Sequence, residues 1–134
     1  MIELYQFRYD AREQLSRDEV DDATAFVPLI LPEHRLDLIR SLFERGDIYE
    51  HVATLDAEIG EVFKLTQNDF YEDGWLKDAP ETVTPRVTDG RDGCRSTSVG
   101  DILIQDGEMF VVASVGFAKL GPAPEPVAPA APGM

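Results

Sequence analysis

The 134 residues contain a single cysteine, Cys94, so no internal disulfide can form and the chain reads as intracellular. Histidine is nearly as scarce. His34 and His51 lie 17 positions apart, and neither belongs to an HxxxH or HxH spacing, which predicts no metal site and no cofactor held through histidine. No apolar run approaches the ~18 residues that a membrane span needs. The opening MIELYQFRYD lacks a basic stretch followed by an apolar one, so no signal peptide is expected either. These absences together predict a soluble, cytoplasmic protein without membrane contact.

Positive charge is the next thing in short supply. Twelve basic residues, of which only Lys64, Lys77 and Lys119 are lysine, face 26 acidic ones, for a formal net charge of −14. A chain this acidic repels phosphate backbones and anionic membranes, which disfavours direct duplex DNA binding. It favours basic partners, including proteins that themselves bind nucleic acid. The same acidity also serves as a solubility or high-salt adaptation, and the sequence leaves both readings open.

What is present is a core for one domain. Hydrophobic residues make up 43% of the chain, as in folded globular domains. From Gly121 the sequence runs GPAPEPVAPAAPGM, too poor in large apolar side chains to offset its ordering entropy. The expected organisation is a domain over 1–120 and a disordered Pro/Ala-rich tail over 121–134.

The pattern within 1–120 predicts an α+β domain with a small, mainly antiparallel sheet. Strands are expected near 2–9, 48–55, 101–105 and 108–115, and helices near 33–45 and 57–67. In 2–9, Ile2, Leu4 and Gln6 alternate with Glu3, Tyr5 and Phe7. In the second strand the alternation sets Tyr49, His51 and Ala53 on one face. Leu36, Ile39, Leu42 and Phe43 form one stripe of the first helix, and Gly46 is placed to end it. Asp56 is the expected cap of the second helix. Ser16 and Glu19 have the spacing of a capping box for a weak helix over 10–24. Residues 68–94 lack periodicity and read as a long loop, with Phe70, Tyr71, Trp75 and Leu76 folding its first part back on the core.

The stretch RSTSVGDILIQDGEMFVVASVGFAKL, residues 95–120, contains the strongest local signal. Asp106-Gly107 between two apolar runs predicts a two-residue hairpin turn. That loop length pairs Gln105 with Glu108, Ile104 with Met109, Leu103 with Phe110 and Ile102 with Val111. Both faces are then apolar, which places the hairpin inside the sheet.

Candidate sites follow from residue chemistry. Arg95, Ser96, Thr97 and Ser98 could cradle a phosphate, but they precede a strand and do not open a helix, so turn chemistry with Gly100 accounts for them better. A Cys94 nucleophile, flanked by Arg91 and Arg95 and served by His34 or His51, is the enzymatic alternative. Two acidic clusters, Asp18, Glu19, Asp21 and Asp22, and Asp69, Glu72, Asp73 and Asp78, with Trp75 beside the second, are the candidate partner-binding residues. Carboxylates spaced over a surface occupy the arginines and lysines that read phosphates; the alternative is a solvated charged face.

The stretch from Tyr49 to Leu120 resembles the YodL-like group of small proteins encoded on bacterial phages, plasmids and other mobile elements. The resemblance is carried by Arg95, Ser96, Ser98, Val99, Gly100 and Asp101, then Gly107, then Gly116 and Phe117. It brings no catalytic role, and it implies an accessory gene in a bacterial cell with those motif residues serving the fold. Together with the acidity it implies a non-enzymatic inhibitor or modulator of a basic, nucleic-acid-binding host complex, of the anti-restriction or anti-CRISPR type. The alternative is an interaction module that regulates replication or transfer of the element.

Overall fold

In the computed structural model, which describes residues 1–24, 27–87 and 93–124, the hairpin is built as its sequence predicts. Asp106 and Gly107 both take positive φ, 52° and 79°, as a type I′ turn requires. Strand β4 (Ile102–Gln105) pairs with β5 (Glu108–Val112) in the expected register, Gln105 opposite Glu108 through Ile102 opposite Val111.

Four further strands extend the sheet: β1 (Ile2–Phe7), β2 (Tyr49–Leu55), β3 (Val83–Pro85) and β6 (Phe117–Pro122). The order is β3-β2-β1-β4-β5-β6 and every pairing is antiparallel. The fold is therefore α+β, with the hairpin inside the sheet.

Both sheet faces are covered. Phe7, Tyr49, Ile102, Met109 and Val111 on one face pack with Ala23 of α1 (Arg17–Thr24) and Ile39 and Leu42 of α2 (Glu33–Arg45). Ile2, Leu4, Val52, Leu55 and Leu103 on the other pack with Val62 of α3 (Ile59–Leu65), Trp75 and Leu76. Alternation along β1 and β4 sends successive side chains to opposite layers, so a central strand with few polar residues serves two cores.

Helix signals are met at α1 and α2. The Ser16 amide donates to Glu19 Oε1 at 2.9 Å and the Glu19 amide to Ser16 Oγ at 3.1 Å, the reciprocal bonds of a capping box. Gly46 ends α2 with φ 84°. At α3 the cap is Glu58 and not Asp56; its amide donates to Glu61 Oε1 at 3.4 Å. The Asp56 amide is instead committed to Thr82 O at 2.7 Å.

The remaining differences lie at strand ends, at one bulge and in the expected loop and tail. The first strand ends at Phe7 and not at 9, because Tyr9–Gln14 coils into a 3-10 turn. A bulge where Leu4 faces Ala53 but Tyr5 faces His51 inserts Val52 as an extra residue, and a one-residue insertion reverses the side-chain alternation beyond it. Ala53 therefore joins the Trp75 layer, opposite to Tyr49. The strand expected over 108–115 ends at Val112, where Ala113 N–H closes onto Gly116 O at 2.9 Å and Gly116 has φ 75°, and β6 follows as a further strand beyond the expected range. Strand β3 forms inside the stretch expected to be loop. Strand β6 continues through Gly121 and Pro122, and the Ala123 amide donates to Gly107 O at 2.7 Å. The rest of the expected tail, 125–134, lies outside the described residues, as do 88–92 of the expected loop.

Strand β6 is a sheet edge, where unpaired carbonyls invite another chain. Arg40 of α2 covers it, donating from Nη1 to Leu120 O at 3.2 Å and to Pro122 O at 2.8 Å.

Candidate functional site

The RSTSVGD segment turns its polar groups inward. Asp101 has no solvent exposure, and its carboxylate is gripped by the Arg95 guanidinium, Nη2 to Oδ1 at 2.6 Å and Nη1 to Oδ2 at 2.8 Å. Two backbone donors complete the shell: Phe7 N–H to Oδ1 at 2.9 Å and Ser98 N–H to Oδ2 at 2.8 Å. Arg95 also donates to Phe7 O, Ser96 O and Ser98 Oγ. Burial pushes the Asp101 carboxyl above its ordinary value, and the Arg95 pair with the Ser98 and Phe7 amides pulls it part of the way back. This is a two-donor fork on a carboxylate that ties the segment before β4 to the end of β1.

The neighbouring hydroxyls are used in the same way. Ser96 Oγ accepts from the Asn68 amide at 2.8 Å, and Thr97 Oγ1 accepts from Thr66 Oγ1 at 2.7 Å. Gly100 has φ 96°, and a Cβ there would stand 2.5 Å from Ala23 O and 2.9 Å from Thr24 Cα. Only glycine allows α1 to approach this closely, and Tyr49 Oη donates to Gly100 O at 3.0 Å from below. A phosphate would have to compete with Asp101 for Arg95, so the segment is a structural knot and not a cradle.

The Cys–His alternative loses its geometry. Cys94 packs in the Trp75 layer, where Sγ donates to Gln6 Oε1 at 2.9 Å. His51 stands on the opposite face, stacked on Tyr5 with ring centroids 4.7 Å apart, and His34 is exposed in the first turn of α2. Arg91 lies outside the described residues. Among the described residues no three His, Cys, Asp or Glu side chains converge to hold a metal, and no helix is long and apolar enough to cross a membrane.

His51 carries a pH signature. Its Nε2 is shielded from solvent without a hydrogen-bond partner. Burial lowers its pKa; Glu3 and a backbone hydrogen bond with Ala53 pull it part of the way back, and Arg86 adds to the lowering. The folded chain thus holds that proton less readily than the unfolded chain. The resulting stability is present above the unfolded value, about pH 6.5, and is lost as pH falls below it toward the lowered folded value. Urea midpoints measured at about pH 7.5 and about pH 5.5, either side of that value, should show a drop at the lower pH that shrinks in His51→Phe. An equal drop in both proteins would remove His51 as its source.

The acidic clusters occupy different layers. Asp18 and Asp21 are exposed on α1, which packs on one sheet face. Asp69, Glu72, Asp73 and Asp78 are exposed on the segment packed on the other. Some of these carboxylates have local work: Glu19 caps α1, and Asp78 Oδ2 accepts from the Asp73 amide at 2.7 Å. Asp21 stands 4.0 Å from Arg17 in an exposed pair, which contributes little. Trp75, expected to meet a partner, is instead fully buried, and its Nε1 donates to Arg95 O at 2.8 Å.

Between the end of α2, the hairpin tip and the residues after β6 lies a cavity of about 750 Å³, lined by Glu3, Tyr5, Phe43, Glu44, Tyr49 and Ile104 among others. Its signal is faint in sequence, because Glu3 and Tyr5 read as strand alternation and Phe43 as part of a core stripe. Compared with family models, with curated proteins and with solved structures, the chain finds no match.

Proposed function

We propose that this chain is a non-enzymatic, acidic protein of a bacterial mobile element, akin to the YodL-like group, that binds a basic, nucleic-acid-binding host complex and inhibits or modulates it. The observation that carries this reading is where the polar chemistry goes. Arg95, Ser96, Thr97, Ser98 and Cys94 are spent on internal partners, while Asp18, Asp21, Asp69, Glu72 and Asp73 remain exposed on a chain of net charge −14. Exposed carboxylates act over distance by steering a basic surface toward them and by occupying its phosphate-reading side chains. Two clusters on opposite layers suit a partner that wraps the domain or engages one cluster alone.

A specific observation favours the interaction module as second reading. Leu29, Ile30 and Val115 are 55%, 87% and 76% exposed. Their loops are clasped together by Ser114 N–H to Val27 O at 2.8 Å and Val27 N–H to Ser114 Oγ at 3.1 Å. Exposed apolar groups brought together in this way suit a protein contact that salt does not weaken.

Capture with the full chain as bait, at low and at high salt, separates the two. The leading reading expects a nucleic-acid-binding protein that is released as salt rises and that duplex DNA displaces. Lysine at Asp18 and Asp21, or at Asp69 and Asp73, should weaken that capture. A partner retained at high salt and lost on Leu29→Ser with Ile30→Ser supports the second reading against the first.

A further inference from the structure

The 750 Å³ cavity has walls of one electrical sense. Glu3 and Glu44 line it, and no lysine, arginine or histidine does so among the described residues. It abuts the C-terminal end of α2, at Phe43, Glu44 and Gly46, where the helix dipole is negative. The guanidinium of Arg40, one turn before Glu44, is committed to Leu120 O at 3.2 Å and Pro122 O at 2.8 Å.

Its aromatic rings are held in place. Tyr5 lies against His51 on one side and meets Phe43 edge-on, at a centroid distance of 4.9 Å and an angle of 76°. Phe43 in turn stands 5.9 Å from Tyr49, whose hydroxyl is already committed to Gly100 O. Ring faces attract cations, and rings fixed beforehand lose little freedom on binding. Aliphatic wall is supplied by Ile104, Ala123 and Pro124.

We propose that this cavity seats an arginine side chain of a basic partner protein. The methylenes lie along Ile104 and Ala123, and the guanidinium stacks on the aromatic wall and bonds to the Glu3 and Glu44 carboxylates. Arginine fits better than lysine because its head is planar, weakly hydrated and able to bond two carboxylates at once. A neutral side chain of equal length leaves both carboxylates without a counter-charge. The assignment rests on the basic-partner reading above, and it supplies that partner with a specific anchor in place of diffuse attraction.

The test uses the full chain, isotope-labelled for NMR, titrated with acetyl-Gly-Arg-Gly-amide and with the same peptide carrying citrulline, which keeps the shape and removes the charge. The arginine peptide should shift Tyr5, Gly46 and Gly107 saturably, and citrulline should bind at least roughly tenfold more weakly, the size of a desolvated cation–π contact with its ion pair. Glu3→Gln with Glu44→Gln should abolish the difference, and Phe43→Leu should weaken the arginine peptide alone. Equal binding of the two peptides overturns the proposal, as do shifts confined to α1 and residues 69–78, or shifts that track self-association. Salt-sensitive capture of a partner that persists unchanged in the Glu3→Gln, Glu44→Gln variant removes the cavity and leaves the acidic-surface reading standing. Selective peptide binding without any captured basic partner keeps the cavity and removes that reading.

Discussion

Replacing Asp101 with alanine is expected to cost about 3–5 kcal/mol, the usual effect of removing one partner of a buried ion pair. The carboxylate accepts four hydrogen bonds, two from Arg95 and one each from Phe7 and Ser98. Its loss strands a guanidinium that is 24% exposed and leaves two amides without their acceptor. Water reaching Arg95 relieves part of the penalty, so the lower half of the range is expected. A domain of this size has only about 5–15 kcal/mol in hand, and the variant should therefore be largely unfolded in modest urea. Removing both partners, as Arg95→Met with Asp101→Leu, takes away the stranded charge and should recover part of the loss. The Phe7 and Ser98 amides still lack their acceptor, which holds the double variant below the parent by ~1–3 kcal/mol. Urea midpoints followed by tryptophan fluorescence rank the three proteins. An Asp101→Ala midpoint close to the parent would falsify the knot.

The same residues show why parts of this fold were legible in sequence. Asp106-Gly107 fixes the turn, the turn fixes the register, and the register fixes which side chains share a face; each step is local, so nothing distant could overrule it. Helix α2 is legible for a similar reason, with stripe and terminal glycine contained in one segment. The bulge at Val52 is not local. It is set by how β1 and β2 meet, and one extra residue moved Ala53 to the other layer. Strand β6 was hidden because the turn before it, Ser114-Val115-Gly116, lacks the Asp-Gly pair that marks the first hairpin, so the apolar run reads on as one strand past Val112. The Arg95–Asp101 pair spans six positions, and its partner Phe7 lies 88 residues from Arg95. Spacing alone marked RSTSVGD as turn chemistry but gave no hint of the carboxylate at its centre. The aromatic-walled cavity was the least legible feature, since its walls come from β1, α2, the hairpin and the chain after β6.

Trp75→Ala should rival the Asp101 variant, with a loss of about 3–5 kcal/mol from the cavity left behind. Trp75 is the largest fully buried side chain, and it packs with Ile2, Leu4, Val52 and Leu103 beneath the sheet. It also holds the segment from Asn68 to Leu76 in place. Its amide donates to Asn68 Oδ1 at 2.9 Å, and its indole N–H donates to Arg95 O. Trp75→Phe keeps an aromatic ring in the layer and loses the indole bond. The Arg95 carbonyl retains Gln6 Nε2 at 3.0 Å, so no acceptor is stranded and a loss of about 1–2 kcal/mol is expected. The parent protein can report on this burial itself, because Trp75 is the sole tryptophan. Its emission should be blue-shifted and protected from iodide, and both properties should vanish together on unfolding. Trp75→Phe further separates structure from contact. A buried indole cannot touch a partner, so the folded variant should capture partner protein as the parent does. Loss of capture with the fold intact would return Trp75 to the surface that partners meet. Retention leaves the exposed carboxylates and the aromatic cavity as the addresses of recognition.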